Sequence, residues 1–362
     1  MEKILTLKEE NWLAGQCVAD DYAGGGGTFI SADGFDIFRE PGWLQTGYLQ
    51  SQLATIAVTP QWFKPIIESG TPFVYAYGNG KLYKINALTD AVTDVTAEVT
   101  PTGATFQGFA IGKAFNASVT NMVYATTTAI RSNIIPPASA SDASIGTVTS
   151  GSYHPIHFAG VDKEFYIGDV NEIDAWDGTT YTANVLDLDD DLTITAISDD
   201  DKYLVVGATN NPTQTLTKSR TKVYFWNTFG PSWQREWDIP ETNLSAILRH
   251  GKTFYAFGRN GMWEFDLYTA PKMVFQKQTS TTNQDFSPQA GAVDIWKGMP
   301  IWASANETVI RAYGSPDSRL SKVFFTPFGA WSAPQALHAV RESKLYVGDN
   351  NKGYVLKTGN QT

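Results

Sequence analysis

Two stretches of this chain repeat one another nearly residue for residue, and such self-similarity restricts the fold more than any other feature of the sequence. The first reads KVYFWNTFGPSW (222–233) and the second KVFFTPFGAW (322–331). Each is followed by a proline, a Leu-x-Ala-aliphatic run (244–247 and 337–340), a polar turn and a Lys-to-Tyr stretch (252–255 and 344–346). A looser form of the same unit recurs elsewhere as an aromatic-rich strand, a glycine or polar turn, and a second strand. It reads FVYAYGNGKLYKIN (73–86), NMVYATTTAIRSN (121–133), EFYIGDVNEIDAWDG (164–178), DKYLVVGATN (201–210), KTFYAFGRNGMWEFD (252–266), MPIWASANETVIRAYG (299–314) and KLYVGDNNKGYVLKTG (344–359). With Tyr75, Tyr124, Tyr166, Leu204, Tyr255, Trp302 and Tyr346 as marks, the spacings run from 38 to 51 residues. Short strands repeating every 40–50 residues are the signature of four-stranded blades set around an axis.

The sequence therefore predicts an all-β fold, a β-propeller of seven four-stranded blades. Six or eight remain open, because the segment 105–150 is irregular. Each mark falls on the second strand of its blade. The first strands are legible as 193–198, 244–248, 291–295 and 337–340, where apolar residues alternate with small or polar ones. Asn79-Gly80, Asn260-Gly261 and the run 198–202 supply ordinary hairpin chemistry. After 354–359 the sequence offers no further strand, so the seventh blade has three strands of its own and one unpaired edge. The reading closes that edge with an N-terminal strand, placed at 28–31 or 35–38. It divides the chain into an arm with a glycine-rich joint (1–27, with Gly24 to Gly27) and the propeller (28–362).

Composition narrows the functional classes. The net charge of −10 argues against a general nucleic-acid binder, which needs a basic face. No run approaches 18 apolar residues, so no membrane-spanning helix is expected. The N-terminal stretch MEKILTLKEENWLAG is too charged for a Sec signal peptide. Cys17 is the single cysteine, which excludes an intramolecular disulfide and a cysteine-based zinc site.

Residues that could carry chemistry read more readily as structure. The acids Asp187, Asp189, Asp190 and Asp191 lack the alternating spacing and glycine of a calcium loop and are expected in a solvated connection between blades. Asp199, Asp200 and Asp201 are expected at a hairpin tip facing water. His154 and His157 flank Pro155, so their segment is extended and alternation sends the rings to opposite faces rather than to one metal. The Gly24–Gly27 run is not followed by the Gly-Lys-Ser/Thr of a phosphate loop, and no nucleophile elbow or zincin motif is present. Trp226, Phe229 and Trp233, with Phe325, Phe328 and Trp331 in the second copy, hold fixed repeat positions and are expected to pack between blades. No catalytic, cofactor-binding or metal-binding residue is assigned.

The familiar propeller signatures (Gly-His…Trp-Asp, paired kelch glycines, the sialidase Asp-box) are missing. The segment GGGGTFISADGFDIFREPGWLQTGYL (24–49) and the strand VYFWNTFG (223–230) resemble those of β-propeller virion proteins of tailed bacteriophages. That resemblance implies a non-enzymatic, tail-associated structural protein of the virion, assembled in the host bacterial cytoplasm. Its partners would be other virion proteins, in a symmetric homo-oligomer or ring. The alternatives are a carbohydrate-binding propeller with exposed aromatics among Trp12, Trp43, Trp62 and Trp296, and a propeller glycoside hydrolase with clustered acids at the channel mouth.

Overall fold

Seven antiparallel sheets form the blades; six are simple up-and-down meanders of consecutive strands, and the seventh takes its outer strand from the N-terminal side. The computed structural model describes residues 51–100, 108–149, 153–210, 220–276, 287–296, 298–304, 310–313, 331–332, 334–340 and 344–357. It also describes the backbone of strand residues 15–16, 28–29, 35–36, 45–46 and 49–50. Blades one to five span 62–94, 109–147, 156–187, 192–239 and 244–276, each with four strands. Blade six has three strands among the described residues, within 288–312. Blade seven takes three strands from 336–357 and its fourth from Leu49–Leu53. The chain is a seven-bladed β-propeller, and the irregular segment 105–150 forms an ordinary four-stranded blade.

All seven mark residues lie on second strands. These strands are apolar almost throughout because each is covered on both faces by a neighbouring blade. Asn121–Ala125 is buried at every position. First strands keep the alternation seen in the sequence, as in Leu192–Asp199, where buried and half-buried residues alternate. Close blade packing also explains a glycine two or three residues after several marks. At Gly207 an added Cβ would stand 2.3 Å from Leu244 Cδ2 on the first strand of the next blade.

Ring closure uses a different segment from the one expected. Leu49–Leu53 pairs antiparallel with Lys352–Lys357, with Leu49 opposite Lys357 and Leu53 opposite Gly353. The candidate at 28–31 contributes Thr28–Phe29, which pairs in parallel with Gly15–Gln16. The candidate at 35–38 contributes Phe35–Asp36, which pairs with Gln45–Thr46. A closing strand must also cover the blade: Leu53 is buried beside Ile56 and Val355. Leu53 meets that need, with the exposed Ser51 and Gln52 before it. Otherwise the arm 1–27 lies outside the described residues.

A meander of antiparallel strands sends alternate turns to opposite faces of the disc. The first-to-second and third-to-fourth connections define what we term the lower face, and the remaining connections the upper face. Because Lys352–Lys357 descends from the upper to the lower face, its antiparallel partner enters at Leu49 from below.

Candidate functional site

The lower end of the seam between blades seven and one brings together the closing strand, a buried charge cluster and an open apolar groove. The cluster centres on Asp90, in the connection 87–91 of blade one. Its Oδ1 accepts hydrogen bonds from Lys344 Nζ at 2.9 Å and Tyr346 Oη at 2.7 Å, and Lys357 Nζ lies 2.5 Å from Oδ2. Lys344 Nζ also donates to the Ala87 carbonyl at 2.8 Å. Burial pushes the Asp90 carboxyl up, but the bonds from Lys357, Lys344 and Tyr346 reverse this and hold it below its usual value. Burial and the bond to Asp90 push the Tyr346 phenol up. The lysine and tyrosine of the repeated Lys-to-Tyr stretch thus clamp the last blade to the first.

The same tyrosine–carboxylate pairing recurs around the ring. Tyr75 donates to Glu68 at 2.6 Å, Tyr124 to Asp142 at 2.6 Å, and Tyr166 to Asp162. Sequence reasoning singled out these tyrosines as strand marks and missed their acids. The tyrosines themselves were the available signal, since a buried phenol requires a partner.

The groove beside Asp90 has a volume of about 380 Å³ and is lined by residues 65–67, 72–74, 338–340 and Ala87. Its walls are the ends of the first strands of blades one and seven and the start of the second strand of blade one. At its inner end His338 Nδ1 lies 3.0 Å from Asp294 Oδ2 of blade six, which also accepts from the Ala339 amide at 2.8 Å. Lys64 stands nearby on blade one with its Nζ 5.2 Å from the Trp62 ring. Burial lowers the Lys64 ammonium and the charge of Asp294 partly restores it.

Other large apolar side chains are exposed around the ring. Among the described residues, Ile67, Leu88, Phe115, Val119, Phe229 and Tyr268 are the exposed large hydrophobics. Ile67 ends a first strand, and the other five occupy first-to-second or third-to-fourth connections. All six therefore lie on the lower face, where Leu49 enters.

The residues weighed from sequence fall mainly into structural roles. Trp226 is buried between blades three and four with its ring edge-on to Tyr166, and its Nε1 donates to the Gly230 carbonyl at 2.8 Å. Trp331 is buried against Tyr354, and Trp233 packs on Tyr224. Phe229 departs from the expectation: it is 79% exposed at the tip of its turn. Phe325 and Phe328 lie outside the described residues, as do Trp12 and Trp43. Trp62 and Trp296 are buried, which removes both from the set of candidate glycan-stacking aromatics.

The acids are similarly engaged. Asp189 and Asp191 clamp Arg220 at 2.6 and 2.9 Å across the top of blade four. Asp199 does not face water as expected. Its Oδ1 lies 2.9 Å from His157 Nε2, and its Oδ2 accepts from the Gly160 amide at 2.8 Å, joining blades three and four. Asp201 pairs with Arg249 of blade five. His154 is fully buried, its ring nitrogens 3.1 and 2.9 Å from the carbonyls of Gly168 and Thr149, so the two histidines part as alternation predicted. Glu172 is raised by burial and by Asp187, Asp174 and Asp169. Two of those neighbours already serve the backbone: Asp174 accepts from the Asn184 amide and Asp169 from that of Thr149.

No protein-family model matches the chain, and no curated protein matches its sequence. Solved propellers match its shape. The Neurospora crassa Pan2 WD40 domain superposes with a TM-score of 0.55 at 10% identity, over 86% of this chain and 96% of that one. The extracellular domain of BT4673 from B. thetaiotaomicron gives a TM-score of 0.55 at 14% identity, over 87% of this chain. The match spans 40% of that longer chain. At such identities the likeness defines one class, the β-propellers.

Proposed function

We propose that this propeller is a non-enzymatic structural subunit of a tailed-bacteriophage virion, attached to the tail or its tip through the lower face. The observation that carries the reading is the collection of exposed apolar side chains on the face from which the N-terminal residues depart. Exposed large apolar side chains gathered on one face of a disc suit a surface that is covered in an assembly. The resemblance of 24–49 to the openings of phage propeller proteins supplies the kind of assembly. Assembly in the bacterial cytoplasm, contacts with other virion proteins and a symmetric ring of copies belong to the same reading. The engagement of carboxylates in tyrosine, histidine, lysine and arginine bonds supports a scaffold over a hydrolase.

The DNA flanking the gene tests it. Portal, terminase and tail genes on either side are expected, with the protein detectable in purified particles; sugar-uptake or polysaccharide genes would overturn the reading. Deletion of residues 1–27 is expected to leave a folded propeller that fails to join the particle. A second reading, glycan binding, draws on the exposed Phe229 and on Tyr268, which is 86% exposed. It predicts saccharide-dependent quenching that a Tyr268→Ala variant loses.

A further inference from the structure

We infer that the groove at the seam of blades seven and one is the docking site for the chain's own N-terminal stretch, residues 1–13, held there in cis in the free subunit. The inference rests on the assembly reading only for its biological use; the contact itself belongs to the isolated chain. Three observations lead to it. The groove is apolar and open, and Ile67 on its edge is 72% exposed. The closing strand enters blade seven at Leu49 on this same face, so the 48 preceding residues are tethered beside the groove. The stretch MEKILTLKEENWL carries Ile4, Leu5, Leu7, Trp12 and Leu13 among charged residues, and its Leu5-x-Leu7 spacing puts two leucines on one side of an extended segment.

The geometry favours the chain's own arm over a neighbour's. From the outer to the inner strand of one blade is three strand spacings, about 14 Å. The pairings of Gly15–Gln16 with Thr28–Phe29 and of Phe35–Asp36 with Gln45–Thr46 shorten the tether. The roughly 11 residue steps left outside them between Leu13 and Leu49 still span about 18 Å as a flexible coil. A tether longer than the gap it bridges sets an effective concentration on the order of 1 mM. A second copy at micromolar concentration competes poorly with that. In a particle, where copies are crowded and fixed, the same stretch becomes available to a neighbouring subunit, and the groove is uncovered together with it.

Cys17, just beyond the proposed docking stretch and the single cysteine of the chain, provides the test. Ile67→Cys and Tyr268→Cys are introduced separately into the full-length protein, both at exposed positions of the lower face on opposite sides of the ring. Each variant is treated with a short bis-maleimide at low micromolar concentration. The expected result is an intramolecular crosslink in Ile67→Cys forming at least about five-fold faster than in Tyr268→Cys, as a local excess of effective concentration requires. Equal rates in the two variants, or no crosslink in either, overturn the inference. Crosslinked dimers that grow with protein concentration overturn it in favour of a neighbour's arm. Deleting residues 1–13 is expected to increase dye binding by the apolar groove, and Ile67→Asp in that deletion to reverse the gain. An unchanged dye signal counts against docking. Either outcome is obtained without particles, so it stands apart from the fate of the virion reading.

Discussion

Replacing Asp90 by alanine tests whether the seam between the last and first blades limits the stability of the ring. The substitution strands three groups at once. Lys344 loses its counter-charge while its ammonium stays on the Ala87 carbonyl, and its side chain is 10% exposed. Breaking a buried ion pair by removing one partner costs about 3–5 kcal/mol. The low end applies here, because the Ala87 bond persists and the neighbouring Lys357, about a third exposed, can turn to water. The Tyr346 hydroxyl adds an unsatisfied donor worth about 1 kcal/mol. The expected total is about 3–4 kcal/mol, or about 6–8 °C in Tm at about 2 °C per kcal/mol for a domain of this size. Thermal denaturation followed by circular dichroism measures it. Asp201→Ala serves as the control, since it removes an exposed partner of Arg249 and should leave Tm unchanged.

The pH dependence follows in sign from the lowered Asp90 carboxyl. The unfolded chain binds this proton at about pH 3.9, the folded one only at lower pH. The contribution of Asp90 is thus complete above about pH 4 and is lost as the pH falls through the folded-state value. The gap between wild type and Asp90→Ala should narrow on acidification below pH 4. A Tm loss under 2 °C at pH 7, or a gap that persists undiminished at pH 2, would refute the assignment of Asp90 as the clamp.

Further expectations concern packing and closure. Gly207→Ala drives a Cβ to 2.3 Å from Leu244 Cδ2 and should cost about 1–3 kcal/mol by overpacking, measured by urea denaturation. Trp226→Ala should cost about 3–5 kcal/mol, whereas Phe229→Ala, from the same repeated motif, should stay within about 0.5 kcal/mol. Removing residues 1–53 should sharply lower stability relative to removing 1–48 and yield oligomers by gel filtration, because the edge of Lys352–Lys357 is then unpaired. Equal behaviour of the two truncations would mean that Leu49–Leu53 does not close the ring.

Much of the architecture follows from the sequence because a repeat writes its period in local chemistry. The second-strand marks recur every 38 to 51 residues, with alternating first strands legible before four of them, and every mark lies on a second strand as read. The need for an N-terminal strand to complete the last blade was legible as well, and Leu49–Leu53 supplies it. What local pattern could not supply was which partner each group would meet across the ring. Leu49–Leu53 is less aromatic than 28–31 or 35–38 and wins because it fits the exposed edge of Lys352–Lys357. Asp90 and Lys344 are 254 residues apart and become one cluster only when the circle closes. Asp199 turns from water to His157 because the neighbouring blade holds a histidine at the right height. The lower face likewise exists only in three dimensions. Nothing in the spacing of Ile67, Leu88, Phe115, Val119, Phe229 and Tyr268 relates them, and it is the alternation of turns in an antiparallel meander that puts all six on one side. Periodicity in the sequence determined the blades, and the closed ring decided which charges pair and which apolar groups share a surface.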